Sequence, residues 1–345
     1  MAAGFDCLLH LAVLNNTAEA DDAEFERVNV TFFADILSKA RDAGVKRIIN
    51  VTTFHALDGR GSAYARSKRK ALQLARAQTD LEIVNLFLPA VYGDQFAGRL
   101  AILNRVPKPL QRPFLTFLSA LAPTVHIDRL AEFLLRHDPK CAAEADVFLA
   151  NPQMDNLVYR SASRLIDLSF ALAVIMLFWW LLFIIWILIR LETNGPGIFS
   201  QERVGQNGKP FVCYKFRTMK TGTRQAGTHE VEADSITRVG AFLRKTKIDE
   251  LPQVWNILRG ELGLVGPRPC LPVQHQLIRE RQKRGVLTVK PGITGLAQIN
   301  GIDMSDPALL AWWDARYIAL QCLPLDLKII VATFLGRGQG DKIRQ

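Results

Sequence analysis

The sequence predicts an α/β chain in two folded parts with one membrane-inserted helix between them. Short apolar runs alternate with helical patterns over the first half. A run of 22 uncharged residues, Leu168 to Ile189, stands in the middle, and glycine-punctuated strand and helix signals fill the rest. With 345 residues, the chain has room for two domains at roughly 100–200 residues each.

The middle run, "LSFALAVIMLFWWLLFIIWILI", is long enough to cross a bilayer as a helix, which takes about 20 apolar residues. A buried soluble helix of that length without a charge is the weaker reading. The run separates residues 1–155, a membrane helix within 156–190, and residues 191–345. Its flanks are both basic, with Arg160 and Arg164 before it and Arg190, Arg203, Lys209, Lys215 and Arg217 after it. The positive-inside rule therefore assigns no direction. A re-entrant or interfacial helix would keep both halves on one side of the membrane. Asp167 is expected to pair with Arg164 at i,i+3, where the helix meets the headgroups. "MAAGFDCLLHLAVLNN" has no basic region before its apolar run, so no signal peptide is expected.

The formal charge is +10, with 43 Lys+Arg against 33 Asp+Glu. Such an excess suits nucleic acid, an anionic membrane or phosphorylated substrates. No zinc-finger or RNP-type signature is present, which leaves no nucleic-acid partner. The five cysteines are scattered without a CxxC pair, which argues against a disulfide framework or a zinc site.

In the first part, "CLLHLA", "RIINVT", "EIVNLFL" and "DVFLA" read as buried parallel strands. Residues 22–43 and 64–78 between them read as helices, a βαβ pattern. "YARSK" places Tyr64 and Lys68 on one helix face, where a cation can favour the phenolate. Most YxxxK pairs are surface coincidences. The glycines before Tyr64 are Gly4, Gly44, Gly59 and Gly61, and none forms a dinucleotide-binding glycine loop. "DCLLHLA", "FERVNVTFFADILSKARDAGVKRIINVTT", "YARSK", "LPAVYG" and "VHIDRLAEFLL" follow in an order that resembles the nucleotide-sugar epimerase/dehydratase family, extended short-chain dehydrogenases, over about residues 5–150. The resemblance implies an incomplete Rossmann-like domain that begins at the family's fourth strand. Tyr64 and Lys68 match its catalytic pair, and Thr52 or Thr53 its Ser/Thr position. Without the pyrophosphate cradle the dyad is expected to be vestigial, and NAD is not expected as a cofactor.

In the second part, "KTKIDELPQVWNILRGELGLVGPRP" sets Asp249 and Glu250 just after Arg244, Lys245 and Lys247, with Arg259 and Arg268 following. One reading makes Asp249 a helix N-cap, with Pro252 in the first turn. The other has cations hold a carboxylate ionised beside a phosphate; the two are compatible. "FVCYKFRT" alternates as a strand that puts Lys215 and Arg217 on one face, able to hold a diphosphate. An ordinary solvated basic face is the plain alternative. Trp312, Trp313 and Tyr317 suit a membrane interface.

"GPGIFSQERVG", "YKFRTM", "LRKTKIDELPQVWNILRGELGLVGPRP", "KPGITGLAQINGI" and "LPLDLKIIVAT" together resemble the bacterial sugar transferases, monotopic polyprenyl-phosphate phosphoglycosyl transferases, over about residues 160–335. The resemblance implies a small α/β catalytic domain with amphipathic interfacial helices. Asp249 and Glu250 are then the catalytic dyad. Asp249 attacks the sugar-linked phosphate of a UDP-sugar and releases UMP, and polyprenyl (undecaprenyl) phosphate takes the phosphosugar from the enzyme. This would be the first membrane step of glycan assembly. Lys215, Arg217 and Arg268 are expected at the substrate phosphates, and Mg²⁺ on Glu250 and Asp249. The expected location is the bacterial inner (cytoplasmic) membrane, with both domains facing the cytoplasm. Membrane lipids, a second copy or downstream glycosyltransferases are the further partners it suggests. The family's helix-breaking Ser-Pro pair falls on Trp179-Trp180, and the run holds no proline. Two other readings stand beside this one: an epimerase/dehydratase anchored by the C-terminal part, and an N-terminal part that serves as a non-catalytic docking module.

Overall fold

The computed structural model describes residues 5–14, 20–57, 61–136, 145–222 and 235–338. The chain forms two compact units, Met1–Ser119 with Pro123–Pro152, and Gln153–Gln345 with Ala120–Ala122.

The N-terminal unit is built on four parallel strands in the order β1 (Cys7–His10), β2 (Arg47–Thr53), β3 (Glu82–Leu88) and β4 (Asp146–Phe148). These are the four apolar runs expected as strands. Helix α1 runs Asp22–Glu26, a π-type turn Arg27–Thr31, then Phe32–Asp42, and Asp21 caps its start by accepting from Glu24 N at 2.8 Å. Helix α2 is Ala63–Arg76. Phe33, Ile48, Val84, Leu86 and Phe87 are fully buried. Strands buried on both faces carry little register information. A polar ladder supplies it: His10, Asn50, Asn85 and Asp146 stand opposite one another across all four strands. His10 Nδ1 lies 3.3 Å from Asn50 Oδ1. Asn50 Nδ2 donates to Asn85 Oδ1 at 3.0 Å, and Asn85 Nδ2 to Asp146 Oδ1 at 3.1 Å. Helix α3, Lys108–Leu121, follows β3 in this part of the chain.

The C-terminal unit begins with α4, Leu157–Glu192, a single helix of 36 residues. No turn interrupts it at Trp179-Trp180, so the re-entrant break is absent; the run has neither proline nor glycine to make one. One stripe of α4 is covered along its length. Ala171 and Val174 pack with Phe211, Cys213, Val254, Ile257 and Leu262. Ile185 and Ile189 pack with Phe216 and Leu243. The other faces stay apolar and open, with Met176, Trp179, Phe183 and Leu191 exposed.

Two α4 residues correct the sequence expectation. Asp167 is buried, and its hydrogen bond goes not to Arg164 but to the backbone: its Oδ1 accepts from Leu264 N at 2.8 Å, with the Arg164 charge still bearing on it. Arg164 instead donates to Ile257 O at 2.6 Å and Leu258 O at 2.9 Å. Both serve backbone groups roughly a hundred residues away, which local spacing cannot reveal.

After α4, β5 (Ile198–Val204) and β6 (Pro210–Phe216) form an antiparallel hairpin whose tight turn uses the positive φ of Asn207 and Gly208. Helices α5 (Arg238–Thr246) and α6 (Val254–Arg259) flank a 3₁₀ turn, Ile248–Gln253. The short parallel pair β7 (Gly263–Val265) and β8 (Gly292–Thr294) follows, with α7 (His275–Lys283) between them. Helices α8 (Pro307–Leu320) and α9 (Leu323–Phe334) close the unit. Tyr317 is a core residue rather than a membrane-interface one. It is buried, its hydroxyl donates to Asp326 Oδ1 at 2.9 Å, and Tyr159 donates to Asp326 Oδ2 at 2.5 Å. Trp312 and Trp313 are half-buried, with the Arg316 guanidinium 5.9 and 5.0 Å from their rings.

Arg281 on α7 and Asp314 on α8 form an ion pair at 2.8 Å with both side chains 3% exposed. Removing one partner of such a pair leaves a buried charge and costs about 3–5 kcal/mol. Asp314→Asn should therefore lower the unfolding free energy of the C-terminal unit by about that amount. Lys283→Ala, which removes the exposed Glu280–Lys283 pair, should cost under about 1 kcal/mol. Denaturant melts of the two full-length variants against the parent chain compare them. Equal losses would show that the buried pair has no special weight.

Candidate active site

Three segments converge on Asp249 and Glu250. The 3₁₀ turn carries the acids, β6 carries Lys215, and the loop after β7 carries Arg268. Lys247 ends α5 in the left-handed region (φ 59°) and restarts the chain at Ile248. Asp249 thus lies inside the tight turn and is not a helix N-cap, and no side chain caps that turn. Asp249 and Glu250 lie in the first turn of the helical stretch that continues into α6, where acids meet the positive end of the helix.

Asn256 on α6, fully buried, fixes β6 against the turn. It accepts from Tyr214 N at 3.2 Å and donates to Val212 O at 2.6 Å. The proline-rich loop is held by two arginines: Arg281 Nη1 donates to Arg268 O at 2.8 Å and Arg203 Nη1 to Pro269 O at 3.0 Å. It also presses against β8, where a Cβ on Gly292 would lie 2.1 Å from Gly266 N. Only glycine allows the two backbones so close.

Lys215 Nζ donates to Glu250 Oε1 at 2.6 Å, and Arg268 Nη2 donates to the same oxygen at 3.1 Å. The three side chains are 20, 18 and 15% exposed for Lys215, Arg268 and Glu250. Burial alone would raise the Glu250 carboxyl, but the Lys215 and Arg268 charges and hydrogen bonds outweigh it and hold it down at about 2. Asp249 goes the other way. Burial first, and then the Glu250 charge, push it up to about 6 against the pull of Lys215, Arg244 and Arg268. The cations favour the ionised form of Asp249, as expected, but burial and the Glu250 charge outweigh them, and the hydrogen bonds of Lys215 and Arg268 go to Glu250. Among the described residues no hydrogen bond or ion pair engages the Asp249 carboxylate.

Two expected phosphate-site residues join the acids and one does not. Lys215 and Arg268 pair with Glu250. Arg217 pairs with neither acid among the described residues. Its guanidinium packs over Gly195, where a Cβ would lie 2.3 Å from Arg217 Nη1. β6 ends at Phe216, so strand alternation no longer sets the direction of the next side chain. Arg244, named in the sequence only as one of a basic run, is the cation added to the site, since its charge bears on Asp249.

The two carboxylates are the set a magnesium ion takes when substrate phosphate and water supply the remaining oxygens. No cluster of three or more metal-ligating side chains occurs among the described residues. A magnesium ion at this pair of carboxylates would take its remaining oxygens from a phosphorylated substrate and water.

In the N-terminal unit, Tyr64 and Lys68 share a face of α2. Burial raises the Tyr64 phenol, and Thr53 beside it pulls the other way. Of the two threonines considered, Thr53 is the one that bears on Tyr64. Lys68 is 4% exposed and burial pushes its ammonium down to about 8.

Residues 158–338 match the family of bacterial sugar transferases. The sugar transferase EpsL of Bacillus subtilis is 43% identical over 145 residues, covering 42% of this chain and 71% of that protein. A UDP-glucose:undecaprenyl-phosphate glucose-1-phosphate transferase of Xanthomonas campestris is 38% identical over 188 residues. That match covers 50% of this chain, which spans only 38% of the relative's length. Among solved structures, a GDP-L-fucose synthetase from Naegleria fowleri with bound NADP is similar at 17% identity and a TM-score of 0.36, covering 46% of this chain and 64% of that one. The family match takes in more than half of the 345 residues and contains the Asp249–Glu250 site, and the chain belongs to the bacterial sugar transferase family.

Proposed function

We propose that the chain transfers a phosphosugar from a UDP-sugar to polyprenyl phosphate through an aspartyl intermediate. The observation that carries this reading is the unequal pair of acids: Glu250 is locked by two cations, and Asp249 beside it is left unpaired and raised to about 6. A carboxylate that is more basic than usual, yet ionised at neutral pH, is suited to attack phosphorus. An Asp249 oxygen bonds to the sugar-linked phosphorus as the bond from that phosphorus to the bridging oxygen breaks, and UMP leaves with the electron pair. An oxygen of polyprenyl phosphate then bonds to the same phosphorus and the Asp249 oxygen departs. The product is a polyprenyl diphosphate sugar, and the carboxylate is regenerated.

Phosphoryl transfer of this kind depends on position and charge neutralisation. Lys215 and Arg268 are fixed donors at the dyad, and Arg244 adds positive potential. Glu250 and Asp249 would hold magnesium, which when bound neutralises phosphate charge. Related proteins are named for undecaprenyl phosphate and UDP-glucose, which supports those substrate classes here.

We infer that α4 lies along the cytoplasmic face of the inner membrane and does not cross it. Its covered stripe runs from Ala171 to Ile189, roughly 27 Å at 1.5 Å per residue. That is nearly the whole of the ~30 Å hydrocarbon thickness. A crossing helix would carry those contacts with the C-terminal unit into the hydrocarbon. An in-plane helix keeps them at the surface and turns Met176, Trp179 and Phe183 to lipid.

Asp249→Asn, free of parent enzyme, should lose UMP release by ~10²-fold or more, because an amide is no nucleophile. Near-normal turnover would end the covalent route. For the parent, kcat/KM should fall as the pH drops below about 6, since protonation of Asp249 removes the attacking form. Glu250→Gln should impair turnover strongly. It also deletes the negative charge that raises Asp249, so the acid limb of its residual activity should move to lower pH. A limb that stays in place or moves up would separate it from Asp249. For topology, single cysteines at the exposed Ser38 and Lys283 should both resist an impermeant thiol reagent in intact cells and both react in opened cells. Labelling of position 38 alone from outside would mean that α4 crosses.

A further inference from the structure

We propose that α3 of the N-terminal unit is a second, separate membrane-contact element that docks on an anionic lipid surface. Leu110, Phe114 and Phe117 recur at i, i+4 and i+7 of this helix and so form one stripe. They are not core residues: they are 49, 50 and 50% exposed. Gln111 flanks that stripe and ties the helix down, donating to Leu103 O at 3.2 Å and Val106 O at 3.0 Å. Leu103 beneath it is fully buried. The apolar stripe is thereby held outward by the fold.

Charge identifies what covers it. Lys108 and Arg112 stand on the opposite face of α3, Arg99 and Arg105 precede it, and all four are exposed. No aspartate or glutamate occurs between Asp94 and Asp128. A helix with aromatic and leucine side chains on one face and only cations among its charges is the pattern of an interfacial helix on anionic lipid. Anionic headgroups attract each of these cations while the stripe enters the acyl boundary; an acidic protein partner would be drawn by the same cations, and a lipid-borne quencher separates the two. The chain already carries a lipid-facing helix in α4, so even a weak second contact acts at high local concentration.

Bulk binding to vesicles would report α4, so the test is site-resolved and uses the full chain. In a variant whose native cysteines are replaced and which keeps its turnover, single cysteines go to Phe117→Cys and, separately, Arg112→Cys. Each is labelled with an environment-sensitive NBD dye. Leu110→Cys gives an independent reading of the apolar stripe, and both stripe positions are half-exposed, so the core is left intact. The proteins are placed in nanodiscs of phosphatidylglycerol and phosphatidylcholine, with and without a nitroxide-bearing lipid. Positions 110 and 117 should show blue-shifted emission that the nitroxide quenches, while position 112 keeps a water-like spectrum. In phosphatidylcholine alone the shift at 110 and 117 should shrink. Water-like spectra at both stripe positions would overturn the proposal. A blue shift that the lipid quencher leaves untouched would also overturn it and would mean that protein, not lipid, covers the stripe.

Discussion

One carboxylate oxygen, Glu250 Oε1, holds Lys215 and Arg268 together, and the C-terminal unit is arranged around that junction. The strand that bears Lys215 is fixed by Asn256, and the loop that bears Arg268 by Arg281 and Arg203. Arg281 in turn depends on Asp314. Two cations around one buried anion would be costly alone. The second acid completes the balance, since Lys215, Arg268, Glu250 and ionised Asp249 sum to zero. Under the proposed reaction, a diphosphate entering the site competes with Glu250 for the same donors. Glu250 then acts as a place-holder that keeps the cations in position until substrate arrives, and Asp249 stays outside the exchange.

Under the proposed topology, the same unit explains how a helix hydrophobic enough to span a bilayer stays on its surface. Ordinary amphipathic helices oppose an apolar face to a polar one. In α4 both faces are apolar, and they differ only in what covers them. Ala171, Val174, Ile185 and Ile189 meet the protein's own core, while Met176, Trp179 and Phe183 have no protein cover. Hydropathy alone cannot separate this arrangement from a span, because it counts apolar residues without regard to partner. The capping of α6 carbonyls by Arg164 and the bond from Leu264 N to Asp167 attach the first turns of α4 to the catalytic unit. Positional error along α4 would thus pass directly to the elements next to the dyad.

The sequence was most legible where function or burial used local patterns. The four apolar runs became the parallel strands, helices 22–43 and 64–78 appeared within two residues of their bounds, and the acids met Lys215 and Arg268. It misled where a distant partner decided. Strand alternation put Arg217 on one face with Lys215, but the strand stops one residue short and the side chain settles over Gly195. Tyr317 has the residue type of a membrane interface, yet Asp326 draws its hydroxyl into the core. Asp249 had the flanking signals of an N-cap, and one left-handed residue, Lys247, moved the turn. The stripe on α3 went unread because its period is that of any core-facing helix, and only its exposure sets it apart.

The N-terminal sheet shows the complementary lesson about polar groups. Apolar strands such as "EIVNLFL" specify burial but not alignment, since a two-residue slip restores the same faces. The ladder from His10 through Asn50 and Asn85 to Asp146 has one alignment in which every rung meets the next. A slip in any strand would strand buried amides at about 1–3 kcal/mol each. Arg47 adds a second lock at the other end of β2, reaching Glu82 through two hydrogen bonds of 2.9 and 2.8 Å. The asparagines that interrupt the apolar runs thus specify the register that the hydrophobic residues around them leave open. This holds the unit's fold together independently of any chemistry at Tyr64 and Lys68.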